Sequence, residues 1–129
     1  MRATAKVSNT ISKPVFTDAR GGIFDLVEDK IGHIGMVTFK KGAVRGNHYH
    51  KKSTQYSYVI SGRLRLTVSN IDGSNRRTYV LKEGTVSRIP PRIIHTYQAL
   101  TAAKLLDMTS LSRTDNGYEH DTVRCKKSE

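Results

Sequence analysis

The stretch from Gly42 to Gly62, Gly-Ala-Val-Arg-Gly-Asn-His-Tyr-His-Lys-Lys-Ser-Thr-Gln-Tyr-Ser-Tyr-Val-Ile-Ser-Gly, constrains the fold more than any other part of the chain. His48 and His50 are separated by one residue. Alternate side chains of an extended strand share a face, so the two imidazoles point the same way. Lys51-Lys52-Ser53-Thr54 is short and polar and reads as a reversal. Gln55 opens a second β-rich run, Gln55 to Ile60, closed by Ser61-Gly62. A hairpin of these two strands aims the Gln55 amide at the imidazoles. Further along, Gly84-Thr-Val-Ser-Arg-Ile-Pro-Pro-Arg-Ile-Ile-His95 offers a third imidazole at the end of another β-rich, proline-punctuated segment.

These segments resemble the paired motifs of the cupin superfamily. The first cupin motif runs glycine, five residues, His-x-His, four residues, glutamate, six residues, glycine. It is met at Gly42, His48, His50 and Gly62, with Gln55 in the glutamate position. The second runs glycine, five residues, Pro-x-Gly-x-x-His. It is met at Gly84, Pro90 and His95, but Arg92 replaces the glycine and Ala99 a terminal asparagine. An isolated His-x-His is equally well two surface histidines; the ordered pair, spanning about residues 42–99, carries the resemblance. It implies an all-β double-stranded β-helix, or jelly-roll barrel, in one domain over residues 1–129.

The rest of the chain agrees with that class. A length of 129 residues suits one core. Strands are expected around Ile11–Phe16, interrupted by Pro14, then from Phe24 toward Glu28 after a turn at Gly21-Gly22, and at Ile34–Lys40. Arg63–Val68 alternates cleanly, and Asp72-Gly73 marks the hairpin loop leading to Thr78–Leu81. Val86–Ile89, His95–Leu100 and Ala103–Met108 complete the strand list. The chain turns polar from Ser110, with a turn at Asn116-Gly117 and a tail from Arg124 expected to fray. With Gln55 inward, Ser57 and Val59 follow it, leaving Tyr56, Tyr58 and Ile60 outside. That outer face suits a homodimer interface or a cover made by the chain's own N-terminal strand.

Composition narrows the function. The single cysteine, Cys125, can form no internal disulfide, and no apolar run spans a membrane, so a cytoplasmic protein is expected. The formal charge of +11 suits anionic ligands. Its cations are scattered, with no zinc-finger spacing or aromatic RNA-binding signature, which argues against nucleic acid as the ligand.

His48, His50 and His95 with the Gln55 carbonyl form a candidate site for a divalent metal, whether zinc, iron, nickel or manganese, or for no metal at all. Each histidine could equally be a hydrogen-bonded polar residue of the barrel. Arg45-Gly-Asn-His-Tyr-His-Lys-Lys also resembles the Arg-Gly-x-His-x-His-Lys segment of sugar-nucleotide cupins. Among these are ketoisomerases of nucleotide-linked keto-deoxysugars and the cupin domains of capsular-polysaccharide epimerases. Asp18-Ala-Arg20-Gly21 resembles the Asp-x-Arg-Gly opening of ketoisomerases and 3,5-epimerases. The resemblance implies isomerisation or epimerisation of a nucleotide-linked keto-sugar, with His48 and His50 as acid and base. Tyr97 then delivers a proton from the opposite face, or serves only as a barrel aromatic. Arg45 and Arg20 are candidate diphosphate partners, guanidinium forks matching phosphate oxygens. Asp107 is the best candidate for orienting a histidine. A metal-dependent oxygenase and a non-catalytic sugar- or metabolite-binding cupin remain as alternatives.

Overall fold

The computed structural model describes residues 6–125. The strands are β1 (Ser8–Ile11), β2 (Phe16–Asp18), β3 (Gly21–Ile23), β4 (His33–Phe39), β5 (Val44–His50) and β6 (Gln55–Ser61). They continue as β7 (Leu64–Asn70), β8 (Arg77–Leu81), β9 (Thr85–Ile89), β10 (Ile93–Ala99) and β11 (Ala103–Thr109). A 3₁₀ turn at Thr114–Asn116 and the short helix α1 (Gly117–Asp121) then lead into β12 (Thr122–Arg124).

Two five-stranded sheets, ordered β1-β9-β6-β11-β4 and β12-β5-β10-β7-β8, face each other, and β2-β3 forms a separate ribbon. Every recorded pairing is antiparallel. This is the all-β architecture the motifs implied.

Alternation decides which residues fill the space between the sheets. Leu64, Leu66 and Val68 on β7 face inward with Leu81, Ile89, Ile93 and Leu105. Burying each such side chain stabilises the fold by about 1.5–3 kcal/mol. The Arg63–Val68 and Thr78–Leu81 runs pair as the expected hairpin, Leu64 opposite Leu81.

Several expectations are corrected. β5 and β6 are not a hairpin: β5 pairs with β10 and β12, β6 with β9 and β11. Lys51–Thr54 therefore carries the chain from one sheet to the other. A short polar connection serves such an arch as well as a reversal, which is why the sequence misleads. No strand forms over residues 24–28, and the run at 11–16 is split, β1 ending at Ile11 and β2 beginning at Phe16 around Pro14. The turn before Gly21 falls on Ala19-Arg20, so the glycines open β3. Arg124 does not fray: β12 pairs with β5, Arg124 opposite His48. The tail residues 126–129 lie outside the described residues.

Gln55, Ser57 and Val59 are buried on the inner face, as alternation predicted. Tyr56 faces outward yet is only 7% exposed, because the segment before β4 covers it and Asp29 accepts its hydroxyl hydrogen bond. No helix of the described residues is long and apolar enough to cross a membrane.

Candidate functional site

A cavity of about 460 Å³ lies between β4, β6 and β11 on one side and β5 and β10 on the other. His48 enters it from β5 and His95 from β10, where the two pair, and His50 lies beside them behind the lining. The ring centroids are 5.1 Å apart for His48 and His50, 4.7 Å for His48 and His95, and 5.3 Å for His50 and His95. The three imidazoles thus form one cluster at the pocket, and Gln55 reaches it across the sheet-to-sheet arch.

The hydrogen bonds fix what each ring offers. His50 Nε2 lies 2.9 Å from Gln55 Oε1. An amide oxygen only accepts, so that nitrogen carries the proton. His50 Nδ1 then accepts from the Thr122 hydroxyl at 3.2 Å. His95 Nδ1–H donates to the Ile93 carbonyl at 3.0 Å, leaving Nε2 as a lone pair, buried and without a hydrogen-bond partner among the described residues. Burial lowers the pKa of His95 to about 3, with His48 adding to the shift and the Ile93 bond opposing it. Burial also lowers His48 to about 4, helped by His50, Arg124 and Arg113. Near neutral pH both rings are uncharged and present lone pairs.

The lone pairs of His48 and His95 are open to a divalent cation, and His50 would join them by exchanging its bond to Gln55 or Thr122 for the ion. Ligating atoms of His48, His50 and His95 lie within 4.8 Å of one another. The bond from His95 to a backbone carbonyl is the kind of outer contact that fixes a ligating imidazole. Gln55 Oε1 is a further neutral donor beside His50.

Arg45 reaches the same pocket through a local irregularity. It stands three positions before His48, an odd offset that on a regular strand would put the two on opposite faces. Between His95 and Thr96 the register shifts, so that Gly46 and Asn47 together span one step of β10. Gly46 (φ 101°) and Asn47 (φ 59°) are both left-handed. A Cβ at Gly46 would lie 2.8 Å from the His95 carbonyl oxygen, which only glycine avoids. Asn47 Nδ2 donates to the Cys125 carbonyl at 3.1 Å. The bulge turns Arg45 inward, where its guanidinium lies 5.5 Å from the Phe39 ring centroid.

Arg20 is not brought to this pocket. It sits at the tip of the β2-β3 ribbon, its side chain 87% exposed and paired with Asp18 at 2.6 Å. The Asp-x-Arg-Gly segment forms a self-contained turn, so its arginine faces solvent on this chain. Tyr97 does line the pocket, 4% exposed, and its hydroxyl donates to Ser57 Oγ at 3.2 Å. Burial raises its pKa, so it holds its proton. Asp107 lines the pocket too, bonded through Oδ2 to Arg113 at 2.8 Å rather than to a histidine.

The segment after β11 supplies groups that sequence reading missed. Tyr118 of α1 stacks near His48 and His50, at 6.3 and 5.9 Å between centroids. Asp121 accepts backbone bonds from Lys52 at 2.8 Å and Ser53 at 3.2 Å, tying α1 to the arch. Asp121 Oδ2 also lies 3.8 Å from His50 Nδ1. Only the motif-like spacing of the histidines was visible in advance; this polar stretch carries no such signal.

The model of the family described as "Cupin domain" matches residues 35–109, more than half of the chain. Oxalate decarboxylase OxdC of Bacillus subtilis (strain 168) is 38% identical over 55 residues, which is 43% of this chain and 14% of that protein. Among solved structures, QdtA, a sugar 3,4-ketoisomerase from Thermoanaerobacterium thermosaccharolyticum in complex with TDP, superposes with a TM-score of 0.74. It is 21% identical, the match covering 92% of this chain and 88% of that one. The dTDP-4-dehydrorhamnose 3,5-epimerase of Sulfolobus tokodaii superposes with a TM-score of 0.71 at 19% identity, covering 93% of this chain and 76% of that one.

Proposed function

The chain belongs to the cupin family, and on that premise we propose that it isomerises or epimerises a nucleotide-linked keto-sugar. The observation that carries this reading is the site itself: three imidazoles cluster beside an inward-turned arginine. Its likeness to sugar-nucleotide ketoisomerase and epimerase folds supports the same choice.

The chemistry asks for removal of a proton beside a ketone and stabilisation of the enolate. His48, half-buried and uncharged near neutral pH, faces the cavity as base. His50, protonated on Nε2 and held on Nδ1 by Thr122, is the partner that returns a proton. Arg45 at the cavity mouth takes the diphosphate. Tyr97 holds Ser57 and packs the wall, its raised pKa making it a poor proton donor to an enolate. A divalent cation bound by His48, His50 and His95, with Gln55 beside it, would polarise the sugar carbonyl. In that case the imidazoles serve as ligands.

Solvent-deuterium incorporation into a TDP-linked 4-keto-6-deoxyhexose, followed by NMR, tests the reading with and without prior chelation. Exchange is expected in the wild type and a loss of at least about 10²-fold in His50→Ala, the lower range for acid–base groups, with the far-UV spectrum unchanged. Binding without exchange would instead mark a sensor, and oxygen consumption an oxygenase. Full exchange in His50→Ala would remove that residue from the mechanism.

A further inference from the structure

Among the described residues, three buried side-chain atoms lack a hydrogen-bond partner: His95 Nε2, Asp107 Oδ1 and His33 Nδ1. The first belongs to the imidazole cluster. The other two lie together on β4 and β11, Asp107 on the lining of the same cavity and His33 behind it. On the inner face β4 and β11 pair Gly35 with Asp107 and His33 with Thr109. Gly35 has no side chain to cover the carboxylate, and a Cβ there would meet the His33 ring at 3.0 Å. Asp107 is 8% exposed and lines the cavity. Arg113 binds its Oδ2 and stacks 4.3 Å from the Tyr118 ring centroid, closing that end.

From these groups we infer a subsite that reads sugar hydroxyls at the Asp107 end of the cavity, with Asp107 Oδ1 as the acceptor and His33 beside it. This rests on the keto-sugar reading above and assigns the ligand's direction within the pocket. The alternatives fail on charge. A phosphate is repelled by a buried carboxylate. A cation is opposed by the Arg113 guanidinium, which already compensates Asp107. A neutral hydroxyl can donate to Oδ1 and accept from the Arg113 guanidinium, which lines the cavity beside it. Phe39, against which Arg45 stacks, is four residues from Gly35 along β4, about 13 Å at strand rise. The hexose ring therefore lies inward against Asp107, and the diphosphate outward toward Arg45.

Three probes separate the two ends of the pocket: methyl glucoside (hydroxyls only), TDP (anion only) and TDP-glucose (both), measured by calorimetry or NMR titration. Asp107→Ala is expected to weaken methyl glucoside and TDP-glucose at least tenfold, while TDP changes less than twofold. Asp107→Asn can keep an oxygen toward Arg113 and turn an amide donor to the cavity; it should weaken the same two ligands about fivefold. In the wild type, a series of deoxy-glucosides should contain one whose missing hydroxyl costs about tenfold, a readout that needs no variant. Equal losses for TDP and TDP-glucose, unchanged glucoside binding, or no glucoside binding by the wild type overturns the subsite. If TDP and TDP-glucose fail to bind while the glucoside binds through Asp107, the nucleotide-sugar reading falls and the subsite stands.

Discussion

Gln55 is the residue on which the chemistry of the cluster turns. It stands where the cupin motif has a carboxylate, and it meets His50 as a neutral acceptor at 2.9 Å. A cation bound beside it would gain no negative charge from its ligands. Gln55→Glu should lower the rate of metal loss on dialysis by roughly tenfold, the smaller end of what changes beside a metal do. Unchanged metal content would take Gln55 out of the ligand set. The three histidines and Gln55 were readable because motif spacing survives without coordinates. Arg45 was named from a motif, but its inward direction depends on a bulge that strand alternation cannot foresee. Arg20 shows the converse: a motif was present, while its side chain pairs locally with Asp18 and faces solvent.

Between the residues and the whole, the connections explain most of what sequence reading got right and wrong. Strands with clean alternation, such as β7 and β8, were found where expected, because a half-buried sheet enforces period two. The link from β5 to β6 was misread, since nothing in Lys51–Thr54 says which sheet receives the chain. The motif glycine replaced by Arg92 shows the backbone demand surviving the substitution. Arg92 is left-handed at φ 65°, and its N–H donates to the His50 carbonyl at 2.7 Å. A non-glycine residue there costs about 1–2 kcal/mol, so Arg92→Gly should raise the denaturant midpoint. Gly46→Ala should do the opposite by about 1–3 kcal/mol, with loss of Arg45-dependent TDP binding. A Gly46→Ala protein as stable as wild type would show that the bulge is not required.

The molecule as a whole should weaken in acid, and the direction follows from the two buried rings. Unfolded histidines titrate near 6.5, whereas His95 and His48 fall to about 3 and 4 in the fold. Between those limits the unfolded chain binds more protons. Stability is thus full above about pH 6.5, declines as pH falls, and stops declining below about 3. The slope is at most about 1.4 kcal/mol per pH unit for each ring. Asp107, raised by burial, acts in the opposite sense. For metal-free protein, the denaturant midpoint should be lower at about pH 4.5 than at about pH 7.5, and His95→Gln should flatten the difference. A midpoint that rises toward acid would contradict the assignment.

The outer face of the first sheet carries a second expectation at this level. Its register aligns Met36, Leu106, Tyr58 and Val86 across four strands, next to Ile34. Met36 and Ile34 are 61% and 62% exposed. A contiguous apolar face of this kind suits a homodimer. Light scattering should give twice the chain mass for the wild type and the single mass for Met36→Lys; a wild-type monomer at micromolar concentration would refute it.

The pairing of β12 with β5 has a consequence for biosynthesis. Arg113, Tyr118, Asp121, Thr122 and Arg124 emerge from the ribosome after the rest of the cavity and its supports. A nascent chain that has released only as far as Thr109 already holds the imidazoles, but His50 still lacks Thr122 and the arch lacks Asp121. The cavity is thereby closed only once translation has delivered residues 113–124, and a chain stalled before them would fold around an open cleft.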